Sequence, residues 1–307
     1  MDASHLSRRE FLQAASLGAA ATALPRTLGA DPAPARWKII TFSKPFIHLN
    51  FEETADLVAD VGWDGIECPV RKTFTHIDPA RVEEQLPKMV EALGKRGRDV
   101  SMITTDITSV TPEAERILRT AAQLGIRRYR LGPIHYAADT PIPQQLDEIA
   151  VRIRDLAQFN RTLKIQGAIQ NHSGKNYFAA PVWDAFEVLR ALPPEDMGFA
   201  FDIGHATLEG GLSWPIQVRL AAPRYSVVYV KDFHWEKKAR GWEPEWCALG
   251  EGMVSPTFFR MLEQTGYNGP VCQHNEYDMG KTAAEHLRHY QTDLKTLRGW
   301  LAGAQAR

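Results

Sequence analysis

Four short runs of this chain end in side chains that can move protons or hold ions. Phe201-Asp-Ile-Gly-His205 puts an acid and an imidazole where an apolar run gives way to glycine. Gln170-Asn-His172, Lys231-Asp-Phe-His234 and His274-Asn-Glu276-Tyr277 close three other apolar runs in the same way. Strands buried on both faces read as short apolar runs, and in α/β proteins the reacting groups collect where such strands become loops. Carboxylates, imidazoles and a lysine brought together supply general acids and bases and a cation for developing negative charge. Four polar strand ends point to one shared pocket, with Asp202 and His205 as its first candidates.

The elements that must position these residues alternate along the chain. Strand-like runs fall at 37–42, 65–68, 100–105, 129–132, 165–170, 198–202, 226–232 and 270–274. Between them lie amphipathic stretches such as 51–61, stopped by Gly62, and the one opened by Thr111-Pro-Glu-Ala with its N-cap and first-turn proline. Repeated strand-then-helix order demands parallel strands with right-handed crossovers, and eight units close a (β/α)8 TIM barrel, a single domain spanning 36–307. The alternative, an open doubly wound sheet, lacks a Gly-x-Gly-x-x-Gly fingerprint after its first strand. No nucleotide cofactor is expected.

In a barrel only every second strand residue faces the lumen. Gln170 then shares a face with His172, Tyr229 with Lys231, and His274 with Glu276. Asp202 faces inward, with His205 three positions on in the loop after Gly204. Glu67 and Arg130 can also face inward, while Asp232 alternates outward and reads as a residue that pairs with or caps a helix. The connection from Lys231 to Ser255 is long enough to be a lid. Its Trp235, Trp242 and Trp246 either stack on a sugar ring or anchor the loop, and Glu251 in Leu249-Gly-Glu-Gly252 is either a rim ligand or a turn.

At 307 residues, 44% hydrophobic and 24% charged, the chain has ordinary globular composition. A net charge of -1 offers no basic field for a phosphate backbone, so nucleic acid is not an expected partner. Three cysteines, Cys68, Cys247 and Cys272, imply no disulfide framework, and Cys68 and Cys272 read as small buried hydrophobes. Ser7-Arg-Arg-Glu-Phe-Leu12, an apolar segment from Ala14 to Leu24 and small residues to Ala35 read in order as a twin-arginine export signal. The expectation is an exported, periplasmic protein with no membrane span once residues 1–35 are removed. Self-association as a homo-oligomer is compatible with it.

Gly65-Ile-Glu67, Gln170-Asn-His-Ser-Gly174, Phe201-Asp-Ile-Gly-His-Ala206, Val230-Lys-Asp232, Leu249-Gly-Glu-Gly252 and Gly266-Tyr-Asn-Gly-Pro270 together resemble the xylose isomerase-like TIM barrels, the sugar phosphate isomerase/epimerase superfamily. The resemblance runs from Ile39 to about Leu301. It implies one divalent ion, held in metal-dependent members by Glu, Asp, His and Glu on strands five to eight. Asp202 matches the aspartate and His205 keeps the Asp-x-x-His spacing. Gln170, Tyr229 and His274 stand where the other three ligands are expected. The altered set left for a metal is Asp202, His274 and Gln170, with Glu276 or His172 as further donors. Imidazole among them shifts preference from Mg or Mn toward Zn.

The superfamily reaction removes a proton beside a carbonyl and stabilises the enediolate. The resemblance implies Glu276 or His172 as base and Lys231, His205 or a metal on Asp202 at the oxyanion. Arg130 and His135 would bind substrate hydroxyls, with Glu67, Trp235 and Glu251 as further substrate contacts. An inward, desolvated Lys231 is expected to have a lowered pKa. The expected function is a carbohydrate or polyol isomerase or epimerase. Two alternatives are a lyase or hydratase acting on an oxidised sugar or glycoside by β-elimination, and a non-catalytic sugar-binding barrel.

Overall fold

The structure, a computed structural model, describes residues 37–305. The twin-arginine segment lies outside the described residues. In chain order the elements are β1 (Ile39–Phe42), α1 (Phe51–Val61), β2 (Gly65–Val70), α2 (Val82–Gly94), β3 (Asp99–Thr105), α3 (Pro112–Gln123), β4 (Arg128–Arg130), α4 (Ile142–Leu163), β5 (Gln166–Gln170), α5 (Trp183–Leu189), β6 (Met197–Asp202), α6 (Ile203–Gly210), α7 (Trp214–Ala221), β7 (Tyr225–Val230), β8 (Asp232–Lys238), β9 (Gly241–Cys247), α8 (Thr257–Gln264), β10 (Val271–Gln273) and α9 (Ala283–Gln305). Eight parallel strands, β1 to β7 with β10 between β7 and β1, close the (β/α)8 barrel. No helix among the described residues is long and apolar enough to cross a membrane.

Local chemistry sets the ends of these elements. The Asn50 side chain accepts from Glu53 N while Glu53 bonds back to the Asn50 amide, a capping box that starts α1, and Gly62 ends it at φ 95°. Such a cap contributes about 1 kcal/mol. Two hydrophobic layers follow from the pleat. Ile40, Phe42, Met102, Ala168, Ala200, Val227, Tyr229 and Cys272 pack together as the lumen layer. A larger cluster, including Ile39, Ile66, Ile103, Ile169, Phe201 and Val228, packs against the helices. Continuing the lumen parity two residues from Ala168, Ala200, Tyr229 and Cys272 reaches Gln170, Asp202, Lys231 and His274 at the strands' carboxyl ends. That alternation is the device that gathers the site.

Two elements differ from the sequence reading. The long connection after Lys231 is an antiparallel hairpin, in which β8 pairs with β9 from Asp232↔Cys247 to Lys238↔Gly241. And α6 begins directly after Asp202, so His205 lies in the first turn of a helix rather than in a loop.

Candidate functional site

The floor of the site is built around Glu67, which is buried without exposure. Its Oε1 accepts from Tyr229 Oη at 2.9 Å and from the Thr104 hydroxyl, and lies 3.3 Å from Arg130 Nε. Burial opposes its ionisation, but the Arg130 guanidinium and His274 hold the carboxyl down at about 2. Its Oε2 faces Cys272 Sγ at 3.5 Å and His274 Nε2 at 3.6 Å. The His274 ring lies between Phe42 and Tyr229, at 4.9 and 4.3 Å between centroids.

Glu67, Cys272 and His274 bring ligand atoms within 4.8 Å of one another, and these residues could hold a metal ion. Both His274 nitrogens are buried without a hydrogen-bond partner, the state in which an imidazole lone pair is left for an ion. Thiol, imidazole and carboxylate together suit zinc better than magnesium. Of the ligands expected from the sequence, Asp202, His274 and Gln170, only His274 belongs to this cluster. Gln170 Nε2 donates to Asp202 Oδ2 at 3.0 Å, and Gln170 Oε1 accepts from Arg130 Nη1 at 2.8 Å. Asp202 Oδ1 N-caps α6 by accepting from His205 N at 3.1 Å. An ion beside Asp202 would meet an amide NH2 and, 3.5 Å from Oδ2, the Lys231 ammonium.

Lys231 is 3% exposed and is the electrostatic centre of the second layer. Its Nζ donates to Glu276 Oε2 at 2.7 Å and lies over the Trp246 ring at 4.2 Å. Burial pulls its pKa down, but Asp202 and Glu276 outweigh that and raise it above the ordinary lysine value. The expectation of a lysine poised to lose its proton is therefore corrected: it is a fixed cation because it is buried against two carboxylates. Glu276 is held well below the carboxylate range by Lys231, His274 and Lys44 despite its burial. The close approach of β7 to α6 depends on Gly204, where a Cβ would stand 2.9 Å from both Lys231 Cγ and the Lys231 carbonyl oxygen.

Two histidines complete the rim. His172 Nδ1 lies 2.8 Å from the Ser173 carbonyl oxygen. A carbonyl only accepts, so Nδ1 carries the hydrogen and Nε2 keeps its lone pair. Burial and the Lys231 charge lower its pKa, leaving the ring neutral at pH 7. His205, 4.1 Å away between ring centroids, contacts Ser173 Oγ through Nδ1 at 2.7 Å. Burial, with Lys231 and His172 beside it, keeps His205 neutral as well. His135 is exposed and reaches the site only through Tyr177, whose ring lies 4.1 Å from His135 and 4.8 Å from His172.

A cavity of about 180 Å³ opens above these layers. Its wall includes Phe42, Lys44, Arg71, Thr104, Arg130, Gln170, His172, Tyr177 and Glu276. Pockets for drug-sized ligands span roughly 300–1,000 Å³, so this one suits a single small ring.

Trp235 and Glu251 do not line this cavity. Trp235 is 43% exposed on the hairpin, and its nearest ring is Phe233 at 6.0 Å. The tryptophan that reaches the site is Trp246, and the reason is register: Trp246 pairs with buried Phe233 at the hairpin base, whereas Trp235 pairs with Pro244 further out. Glu251 is exposed in its turn. The sequence reading also misplaced Asp232, which caps no helix. Its carboxylate accepts from the amides of Phe233, Gly250, Gly252 and Val254 and ties the 250–254 turn to the hairpin base. Gly252 is required there, since a Cβ would fall 2.3 Å from Asp232 Oδ1. Lys44, Arg71 and Tyr177 were missed, although Lys44 and Arg71 follow the ends of β1 and β2. The strand-end rule applied to those two strands finds both cations.

Residues 55–298 match the family described as xylose isomerase-like TIM barrel. No curated protein matches the chain. Among solved structures, a 3-keto-D-glucoside 4-epimerase from E. coli is 16% identical with a TM-score of 0.66, covering 86% of this chain and 99% of its own. A D-psicose 3-epimerase from Clostridium cellulolyticum H10, solved with D-tagatose, is 14% identical with a TM-score of 0.66 over 86% and 99%. A xylose isomerase-like TIM barrel protein from Mycobacterium smegmatis, solved in complex with magnesium, is 15% identical with a TM-score of 0.63 over 86% and 98%. At these identities the likeness speaks for the fold, and the family match over most of the chain, on a closed barrel of eight parallel strands, carries the conclusion that this chain belongs to the xylose isomerase-like TIM-barrel family.

Proposed function

We propose that this chain is an isomerase or epimerase that takes a proton from carbon beside a carbonyl of a small carbohydrate. The observation that carries the reading is His172: a neutral imidazole on the cavity wall, its Nδ1 hydrogen tied to the Ser173 carbonyl, its Nε2 left as a base. Arg130, on the same wall, offers a permanent cation to the oxyanion, and its pairing with Glu67 fixes its place. Glu276 is too strongly held as an anion to be the better base, and serves as an acceptor for a substrate hydroxyl. Lys231 positions Glu276 from below. Glu67, Cys272 and His274 would hold a divalent ion of the zinc type, which when bound supplies Lewis-acid polarisation of a carbonyl oxygen.

The test is incubation in deuterated water with neutral and acidic keto sugars (3-keto-glycosides, ketohexoses, their 6-phosphates and uronates), followed by mass and configuration analysis. Deuterium enters the carbon next to the carbonyl, and His172→Asn slows its entry by about 10²-fold or more. Fragments whose masses sum to the substrate would instead identify β-elimination. A ligand returned without deuterium would sink the catalytic reading and leave a binding barrel. We also propose export through the Ser7–Leu12 twin-arginine motif, tested by fractionating cells that carry wild type or Arg8→Lys/Arg9→Lys: the double variant accumulates in the cytoplasm.

A further inference from the structure

The cations on the cavity wall are not evenly matched. Arg130 pairs with Glu67 at 3.3 Å, and Lys44 lies 3.4 Å from Glu276. Arg71, on the same wall, forms no ion pair among the described residues. Its Nε donates only to the Phe74 carbonyl at a long 3.4 Å. Its guanidinium lies 5.6 Å from the Phe42 ring centroid, with Arg130 on the same ring at 4.8 Å. Two guanidiniums therefore share one aromatic ring, and a single carboxylate, Glu67, is in contact with the pair. Lining charges are three cations, Lys44, Arg71 and Arg130, against one anion, Glu276.

The loop that carries Arg71 is held in an unusual shape. Phe74 has φ 49°, a region that a bulky residue seldom occupies, and it is 65% exposed. Its carbonyl takes the Arg71 Nε, and its ring lies 5.7 Å from Lys44 Nζ. Phe74 thus contacts a guanidinium through its carbonyl and an ammonium through its ring, and both cations line the cavity. A planar fork of donors without its own carboxylate, in a partly desolvated cavity, is built to receive a bidentate anion.

We propose that Arg71, with Lys44 beside it, binds an anionic group of the substrate, a carboxylate or a phosphate, so that the protein acts on an acidic sugar rather than a neutral one. The inference rests on the carbohydrate reading of this cavity and specifies its substrate class. Arg130 stays with the reacting carbonyl, and Arg71 holds the acid at the other end of a one-ring ligand.

Calorimetry on the full chain decides it, with three matched probes: a hexuronate, the corresponding hexose 6-phosphate and the neutral hexose. One of the two acids binds at least tenfold tighter than the neutral hexose, and raising salt from 50 to 500 mM narrows the gap. Whichever acid binds tighter names the source of the charge. Arg71→Gln removes the advantage, and Arg71→Lys, which keeps the charge without the fork, restores part of it. Equal affinity for acid and neutral sugars, or an advantage that survives in Arg71→Gln, overturns the proposal. Deuterium incorporation is read separately, so a protein that prefers acids but exchanges nothing overturns the isomerase reading alone.

Discussion

Strands β1, β2 and β4 are followed by or end in fixed cations, whereas β5, β6, β7 and β10 lead into imidazoles and carboxylates gathered around one buried ammonium. Lys44, Arg71 and Arg130 come from the first half of the barrel. Gln170, His172, Asp202, His205, Lys231, His274 and Glu276 come from the second. The second half has one ammonium, Lys231, and spends two carboxylates holding it. The first half leaves Arg71 without a carboxylate. The contrast teaches a division of labour: one side of the lumen is set to attract and orient, and the other to react. A barrel permits this because each strand end is an independent mounting point on a common rim.

The division is broken most directly by comparing kinetic parameters. His172→Asn removes the base and is expected to lower kcat about 10²- to 10⁴-fold with little change in KM. Arg71→Gln, on the other side, is expected to raise KM for an acidic substrate with a smaller change in kcat. If both variants depress the same parameter by similar factors, the two sides of the lumen do not have separate roles.

Between the halves lies the Glu67–Arg130 pair, buried at 0% and 7% exposure. Glu67→Ala leaves a buried guanidinium uncompensated and also orphans Tyr229 and Thr104, whose hydroxyls bond to the same oxygen. The expected cost is roughly 3–5 kcal/mol of stability, read from the urea midpoint at unchanged slope. A variant within 1 kcal/mol of wild type would mean that the floor is not what holds the two halves in register.

The barrel was legible because period-two and helical patterns alternate eight times, and the lumen parity of Gln170, Lys231 and His274 follows from counting along a strand. Partners across the lumen were not legible. No spacing places Glu67, on the second strand, against Tyr229 and Cys272 on the seventh and eighth, because that contact is made by closure. For the same reason the ion-competent cluster differs from the one expected around Asp202. Nor was the sign of the Lys231 shift legible, since desolvation alone lowers a lysine and only the approach of Asp202 and Glu276 from neighbouring strand ends reverses it. The hairpin was legible as a long insertion, but which of its tryptophans faces inward is a matter of register.

Outside the lumen the two halves are braced by groups that respond to pH in opposite senses. Under the β1 loop, His76 contacts the Ser43 carbonyl, and burial lowers its pKa to about 4. Stability from keeping it neutral is intact above about 6.5 and is lost as pH falls through 4. On the other side, Asp293 accepts from Leu249 N, Asn275 Nδ2 and Tyr277 Oη, and burial raises its pKa to about 6. Its contribution is intact below its ordinary value near 4 and is lost as pH rises through 6. Asp293→Asn cancels that loss while His76 is common to both proteins. Relative to the variant, wild type should lose on the order of 2–3 kcal/mol between pH 4 and pH 7 in chemical denaturation. A pH-independent difference would show that Asp293 ionises as freely as it does in an unfolded chain.

The smallest effect is expected from the residue that joins the hairpin to the reacting side. Trp246 stacks under the Lys231 ammonium at 4.2 Å and meets His205 edge-on at 5.1 Å between centroids. Its own neighbour Phe233 is fixed by Asp232, which accepts the Phe233 amide. Trp246→Leu keeps an apolar cover over the strand ends but removes the ring face from the cation. A partly desolvated cation–π contact contributes about 1 kcal/mol, so activity is expected to fall about fivefold. The loss should appear in kcat/KM, because Lys231 acts through Glu276, the acceptor for a substrate hydroxyl. Trp242→Leu, on the outer part of the same hairpin at 65% exposure, should leave kcat/KM unchanged. If Trp242 matters and Trp246 does not, the hairpin serves the ligand from outside, and the reacting side of the barrel is complete without it.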